Sequence, residues 1–92
     1  MIMDKFDKQP DEVQDYDIDF NEYLTAMADT GASHTVTADT GITLDSSTLT
    51  AGVVKVWLSG GSHRTNYKIT VTLTTTGGRI KQHEILIRVR EI

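Results

Sequence analysis

Tyr67-Lys68-Ile69-Thr70-Val71-Thr72-Leu73-Thr74-Thr75-Thr76-Gly77-Gly78-Arg79-Ile80-Lys81-Gln82-His83-Glu84-Ile85-Leu86-Ile87-Arg88-Val89-Arg90 is the stretch that decides the fold. Tyr67, Ile69, Val71 and Leu73 alternate with Lys68, Thr70, Thr72 and Thr74, the period of a half-buried strand. Burying those core-facing side chains is worth roughly 6–12 kcal/mol before chain entropy is subtracted. From about Ile80 to Arg90 a second strand places Ile85, Ile87 and Val89 on one face. A two-residue Gly77-Gly78 turn would pair Thr76 with Arg79, hence Val71 with Glu84 and Ile69 with Leu86. Glu84 and Arg88 would then face the core, and Ile85, Ile87 and Val89 would face water. A slip of one residue flips every side chain, so the pleat rejects this pairing. A three-residue loop Thr76-Gly77-Gly78 or a bulge near His83 restores it. The loop is favoured, because glycine supplies left-handed backbone without a steric cost.

Upstream, Gly52 precedes Val53-Val54-Lys55-Val56-Trp57-Leu58, the most apolar strand in the chain. Val54, Val56 and Leu58 share one face, while Val53 and Trp57 share the other. Ser59-Gly60-Gly61-Ser62-His63-Arg64 is a flexible connection able to cross between sheets. Asp15-Tyr16-Asp17-Ile18-Asp19-Phe20 alternates strictly, with Tyr16, Ile18 and Phe20 toward the core. Asn21 is placed to cap one helical turn that ends near Ala28, before the turn signal Asp29-Thr30-Gly31. Ser33–Ala38, Ile42–Leu44 and Thr48–Thr50 read as further short strands, the last two separated by Asp45-Ser46-Ser47. Six or seven strands at this spacing predict a β-sandwich, with a small barrel as the alternative. The expected architecture is all-β: about seven short antiparallel strands over residues 13–92, after a mobile acidic arm at residues 1–12.

Composition agrees with one domain. The 92 residues hold fourteen Thr, a β-branched residue suited to a pleated surface that meets water on one side. Cys is absent, which excludes disulfides and thiolate metal sites and leans toward synthesis in a reducing cytoplasm. No apolar run suggests a signal peptide or a membrane span. The net charge of −4 divides into −7 over residues 1–31 (nine acids, two bases) and +3 over residues 32–92 (four acids, seven bases). Such a split suits an acidic segment that docks on its own domain or a neighbour; a solvated tail is the other reading.

Candidate chemistry is sparse. Asp15, Asp17 and Asp19 share a strand face, but alternate strand residues stand about 6.5–7 Å apart and cannot converge on calcium without loop ligands. A solvated or partner-facing surface is the expected role, with no metal or cofactor. His34, His63 and His83 lack ligand spacing, and no Ser lies in a nucleophile elbow. No enzyme is expected. Arg79, Lys81, Arg88 and Arg90, with Arg64 and Lys68, could form a basic stripe on the last two strands. The acidic overall charge argues against nucleic acid and for an acidic protein partner. Trp57 is expected in the core between sheets, with an exposed protein- or sugar-binding role as the alternative.

Thr65-x-Tyr67-x-Ile69-x-Val71 resembles the corner-and-strand pattern of fibronectin type III and related Ig-like sandwiches, in which a Tyr hydroxyl ties back to the corner backbone. A broader resemblance runs through Pro10-Asp11-Glu12-Val13, Tyr16-Asp17-Ile18-Asp19-Phe20, Val56-Trp57-Leu58-Ser59-Gly60-Gly61, Tyr67, Thr75-Thr76-Gly77-Gly78-Arg79 and Val89-Arg90-Glu91. This succession is similar to small tailed-bacteriophage virion proteins of the fiber-tail adaptor type. The family's first strand commonly carries Trp where this chain has Phe20, and residues 29–50 match poorly. The resemblance implies a non-enzymatic virion component made in the bacterial host cytoplasm. It implies several copies contacting other tail, fiber or capsid proteins; the charge pattern makes Asp15, Asp17 and Asp19, with the arm before them, and Arg79, Lys81, Arg88 and Arg90 the expected contact residues. Trp57, Gly60, Gly61, Tyr67, Gly77 and Gly78 are its expected structural residues. An Ig-like carbohydrate-binding or adhesion module is the alternative function.

Overall fold

A computed structural model describes residues 4–91. The elements are β1 (Asp4–Lys8), β2 (Gln14–Asp19), α1 (Asn21–Ala26), β3 (Gly31–Ala38), β4 (Ile42–Thr50), β5 (Val53–Gly60), β6 (Thr65–Thr75) and β7 (Ile80–Val89). They form a four-stranded sheet in the order β1-β7-β6-β3 and a three-stranded sheet in the order β2-β5-β4. This is an Ig-like arrangement in which the first strand has left the three-stranded sheet for the edge of the other.

The β6–β7 register is the one the pleat requires. Ile69 pairs with Ile85, Tyr67 with Ile87 and Thr74 with Ile80. Thr75 N–H donates to Arg79 O at 2.8 Å, so Thr76-Gly77-Gly78 is the three-residue loop. Gly78 takes the left-handed conformation at φ 88°. The core lies between the sheets. Val54, Val56 and Leu58 of β5 face Ile69, Val71 and Leu73 of β6 and Ile85, Ile87 and Val89 of β7, all fully buried. Tyr16, Ile18, Phe20 and Leu24 complete it. Ile42–Thr50 is one strand and not two, because a register shift between Leu44 and Ser46 absorbs the polar interruption.

The segment expected to be a mobile arm is different. Asp4–Lys8 pairs in parallel with Ile85–Val89, so the sandwich begins at β1, and one of its strand pairs is not antiparallel. Met1–Met3 lie outside the described residues. The hydrophobic period was hidden because Lys8 occupies an inward position after Phe6. Lys8 is 1 % exposed, and its Nζ donates to the carbonyls of Gly60 (2.7 Å), Gln9 (2.9 Å) and Pro10 (3.4 Å). Burial lowers its pKa, against the opposing pull of Glu12, Asp11 and Asp45. Outward, Asp7 pairs with Arg88 at 2.8 Å and Asp4 with His83 at 3.1 Å. The N-terminal strand thus docks on β7 of its own domain, with its two aspartates against Arg88 and His83.

Two further contacts close the sandwich. Ser62 N–H donates to Tyr67 Oη at 2.9 Å, which forms the expected tyrosine corner. Gly61 sits beside that ring, and a Cβ there would stand 2.7 Å from Val89 Cγ2. At the opposite end, α1 finishes with Asp29 N–H bonded to Leu24 O and Ala28 N–H to Thr25 O, a Schellman pair with Ala28 at φ 50°. Asn21 is the first helical residue and not the cap; Asp19 Oδ1 accepts its N–H at 2.8 Å.

Asp29 follows that helix end. Its side chain is 6 % exposed and accepts from Thr30 N–H (2.8 Å), Gly77 N–H (3.0 Å) and Arg79 Nη1 (2.9 Å). The Thr75 hydroxyl, then the Thr30 N–H, are the leading causes that hold its carboxyl down at about 2.

The two buried tyrosines should respond differently to loss of the hydroxyl. Among the described residues Tyr16 Oη has no hydrogen-bond partner, and burial leads the rise of its pKa to about 12. Tyr67→Phe should cost about 0.5–1.5 kcal/mol in a denaturant melt, while Tyr16→Phe should cost nothing or gain stability. Equal losses in both would refute the corner bond. The Asp29 carboxyl ionises below its unfolded value of 3.8, so its stabilisation is complete above about pH 4 and fades as pH falls through about 2. Asp29→Asn should therefore melt below the parent at neutral pH and converge with it on acidification. A gap that stays constant across that range would show that charge is not the cause.

Candidate protein-interaction surface

The inner faces of both sheets are consumed by the core, so any functional surface lies on the outer faces, the edges or the ends. On the three-stranded sheet, antiparallel pairing sets Asp15 beside Trp57, Asp17 beside Lys55 and Asp19 beside Val53. On the far side of β5, Ser46, Thr48 and Thr50 oppose the same three residues. The result is a flat polar face with an indole near its middle.

Trp57 is 38 % exposed. This corrects its expected place in the core. Strand β5 is central to its sheet, yet only one face of that sheet has a partner layer. Val54, Val56 and Leu58 fill that layer, and pleat alternation turns Trp57 outward. Lys55 Nζ lies 3.2 Å from Asp15 and 3.8 Å from Asp17, and these carboxylates raise its pKa. The two acids thus meet an ammonium group. Asp19 engages the backbone of Asn21.

The four residues expected as a basic stripe are not brought together. Arg79 is bound to Asp29 at the β6–β7 hairpin. Lys81 lies over the Tyr23 ring of α1, 5.2 Å from its centre, on the same side of β7 as Ile85. Arg88 is on the opposite side of the strand and pairs with Asp7. Arg90 donates to Val89 O and Asn66 Oδ1. Lys81 and Arg90 stand at the two ends of β7, about 30 Å apart at roughly 3.3 Å per residue. Instead, Lys81 lines a shallow groove beside α1, together with Asp19, Glu22, Tyr23 and His83.

The glycines are structural. Gly60 O accepts from Lys8, Gly61 admits the Tyr67 ring, Gly77 N–H serves Asp29 and Gly78 shapes the hairpin. The roles of Lys8 and Asp29 carry no signal in the sequence. A lysine gives no apolar signal, and an Asp before Thr-Gly reads as an ordinary turn. Asp29 meets Gly77 across 48 positions, a contact with no local signature.

One pair looks superficially like a nucleophile and its base. Ser47 Oγ lies 2.9 Å from His34 Nε2. A carboxylate on the other ring nitrogen would be needed to hold the tautomer, and none is bonded to it among the described residues. The bond ties β3 to β4. No group of three or more metal-ligating side chains converges among the described residues, and none of their helices is long and apolar enough to cross a membrane.

Among curated proteins no sequence match is found. A family model, the podophage GP4 fiber-tail adaptor protein gp77, matches residues 8–88. That span runs from the buried lysine of β1 to the arginine that pairs with Asp7, and so covers the sandwich almost whole. The chain therefore belongs to the family of podophage fiber-tail adaptor proteins, a structural component of the virion.

Proposed function

We propose that this chain is a non-enzymatic adaptor that joins fiber and tail proteins through the outer face of the β2-β5-β4 sheet. The exposure of Trp57 at the middle of that face carries the reading. An indole that could have been buried is turned instead to water, and aromatic anchors of this kind dominate protein interfaces. Asp15, Asp17 and Asp19 supply an acidic rim. Several copies act together on a symmetric virion, so each contact is weak and the array holds by multivalency. Nucleic acid, membrane and cofactor have no part in this reading. Synthesis in the host cytoplasm accords with a chain that has no Cys.

The same exposed indole, among Ser46, Thr48 and Thr50, favours one second reading, a platform for a sugar ring.

Co-sedimentation with fiberless podophage tail particles tests the proposal. The parent chain should bind saturably and more weakly at high salt, because the Debye length falls from about 10 Å at 0.1 M to about 3 Å at 1 M. Trp57→Ala should lower affinity about 30-fold, the effect of losing a hot-spot contact of about 2 kcal/mol. Unchanged affinity in that variant, or a tight salt-insensitive homodimer in ultracentrifugation, would refute the surface. Glycan titrations that shift Trp57 fluorescence, without tail binding, would favour the sugar platform.

A further inference from the structure

Among the described residues, β2 is paired on one side only. Strand β5 covers one edge, and β1, which would extend this sheet in the constant-type Ig arrangement, is paired with β7 instead. Six residues, Gln14–Asp19, therefore present an open edge, and such an edge is a template for another strand. Strands β3 and β4, the edges on the other side, are linked to each other by the His34–Ser47 side-chain bond.

The chemistry of the β2 edge selects among occupants. Its outer face carries Asp15, Asp17 and Asp19, and Lys55 stands beside Asp15 and Asp17. Its inner face carries Tyr16 and Ile18. The Tyr16 ring meets Phe6 of β1 at 5.0 Å, across the seam between the two edge strands, and its Oη is the one buried side-chain polar atom without a partner among the described residues. A second copy of β2 would set aspartates against aspartates, and like charges across a strand pair repel.

We infer that the β2 edge docks an extended basic segment of another virion protein, a strand with Lys or Arg at alternate positions and apolar residues between. Its backbone would extend the three-stranded sheet, a known mode of strand addition. Its cations would flank the aspartates, and its apolar side chains would continue the Tyr16–Ile18 layer. This rests on the adaptor reading above and adds the chemistry of the partner.

The probe is a capped octapeptide of alternating Lys and Val, titrated into the intact chain and followed by NMR amide exchange. Exchange should slow at alternate amides of β2. Affinity should fall at least about tenfold in Asp15→Asn/Asp17→Asn, whose fold is checked by thermal melt, and by a similar factor between 0.05 and 0.5 M salt. A backbone N-methylated form keeps the charges but cannot form the ladder, and it should not bind; nor should a Glu-Val octapeptide. Equal binding by either control, protection on β3 or β4 instead, or no binding at millimolar peptide overturns the proposal. Loss of tail binding in Trp57→Ala, with no uptake at β2, would overturn the edge site alone and leave the adaptor surface standing.

Discussion

The pairing of Ile69 with Ile85 and of Tyr67 with Ile87 is the constraint on which this small sandwich depends. It places six fully buried side chains of β6 and β7 opposite three from β5, and a shift of one residue would exchange that layer for lysine, threonine and arginine. The hairpin loop enforces the register from one end. The tyrosine corner fixes it from the other, since Tyr67 reaches Ser62 only while its ring stays in the inner row. A domain of this size has little core to spare, so register and stability are nearly one question.

Polar groups close the two open ends. Asp29 gathers the end of α1, the start of β3 and the β6–β7 hairpin around one carboxylate. Lys8 does the converse at the far end, where one ammonium satisfies carbonyls from β5 and from the turn after β1. Both are buried charges, tolerable only because hydrogen bonds replace the water they lose. They join segments distant in sequence, which a short chain without disulfides must do by noncovalent means.

The migration of β1 onto the β7 edge connects fold to function. It consumes Asp7 and Arg88 in a contact within the domain, so much of the charge split along the sequence is spent internally. The same move leaves β2 as an edge, with its aspartates beside the exposed indole of β5. A sandwich fold alone assigns no task. Membership in the fiber-tail adaptor family assigns a structural one.

Alternation in sequence determined β2, β5, β6 and β7 with their inner rows, and narrowed the last hairpin to a three-residue loop or a bulge, because the two-residue period of a strand is a local property. The sandwich class follows from the same local signals, and the tyrosine corner from the resemblance of Thr65-x-Tyr67-x-Ile69-x-Val71 to Ig-like strands. Tertiary structure decided what depended on the neighbour of each face and edge. Trp57 and Val54 belong to one apolar run, and only the presence of a second layer on one side tells which is buried. Asp4–Lys8 becomes a strand because β7 offers an edge, and Lys8 is buried because distant carbonyls receive it. The basic residues spaced along β7 were legible as charges. Whether they form a surface was not, since each is claimed by a partner that only the folded chain brings near: Asp29, Tyr23, Asp7 and Asn66.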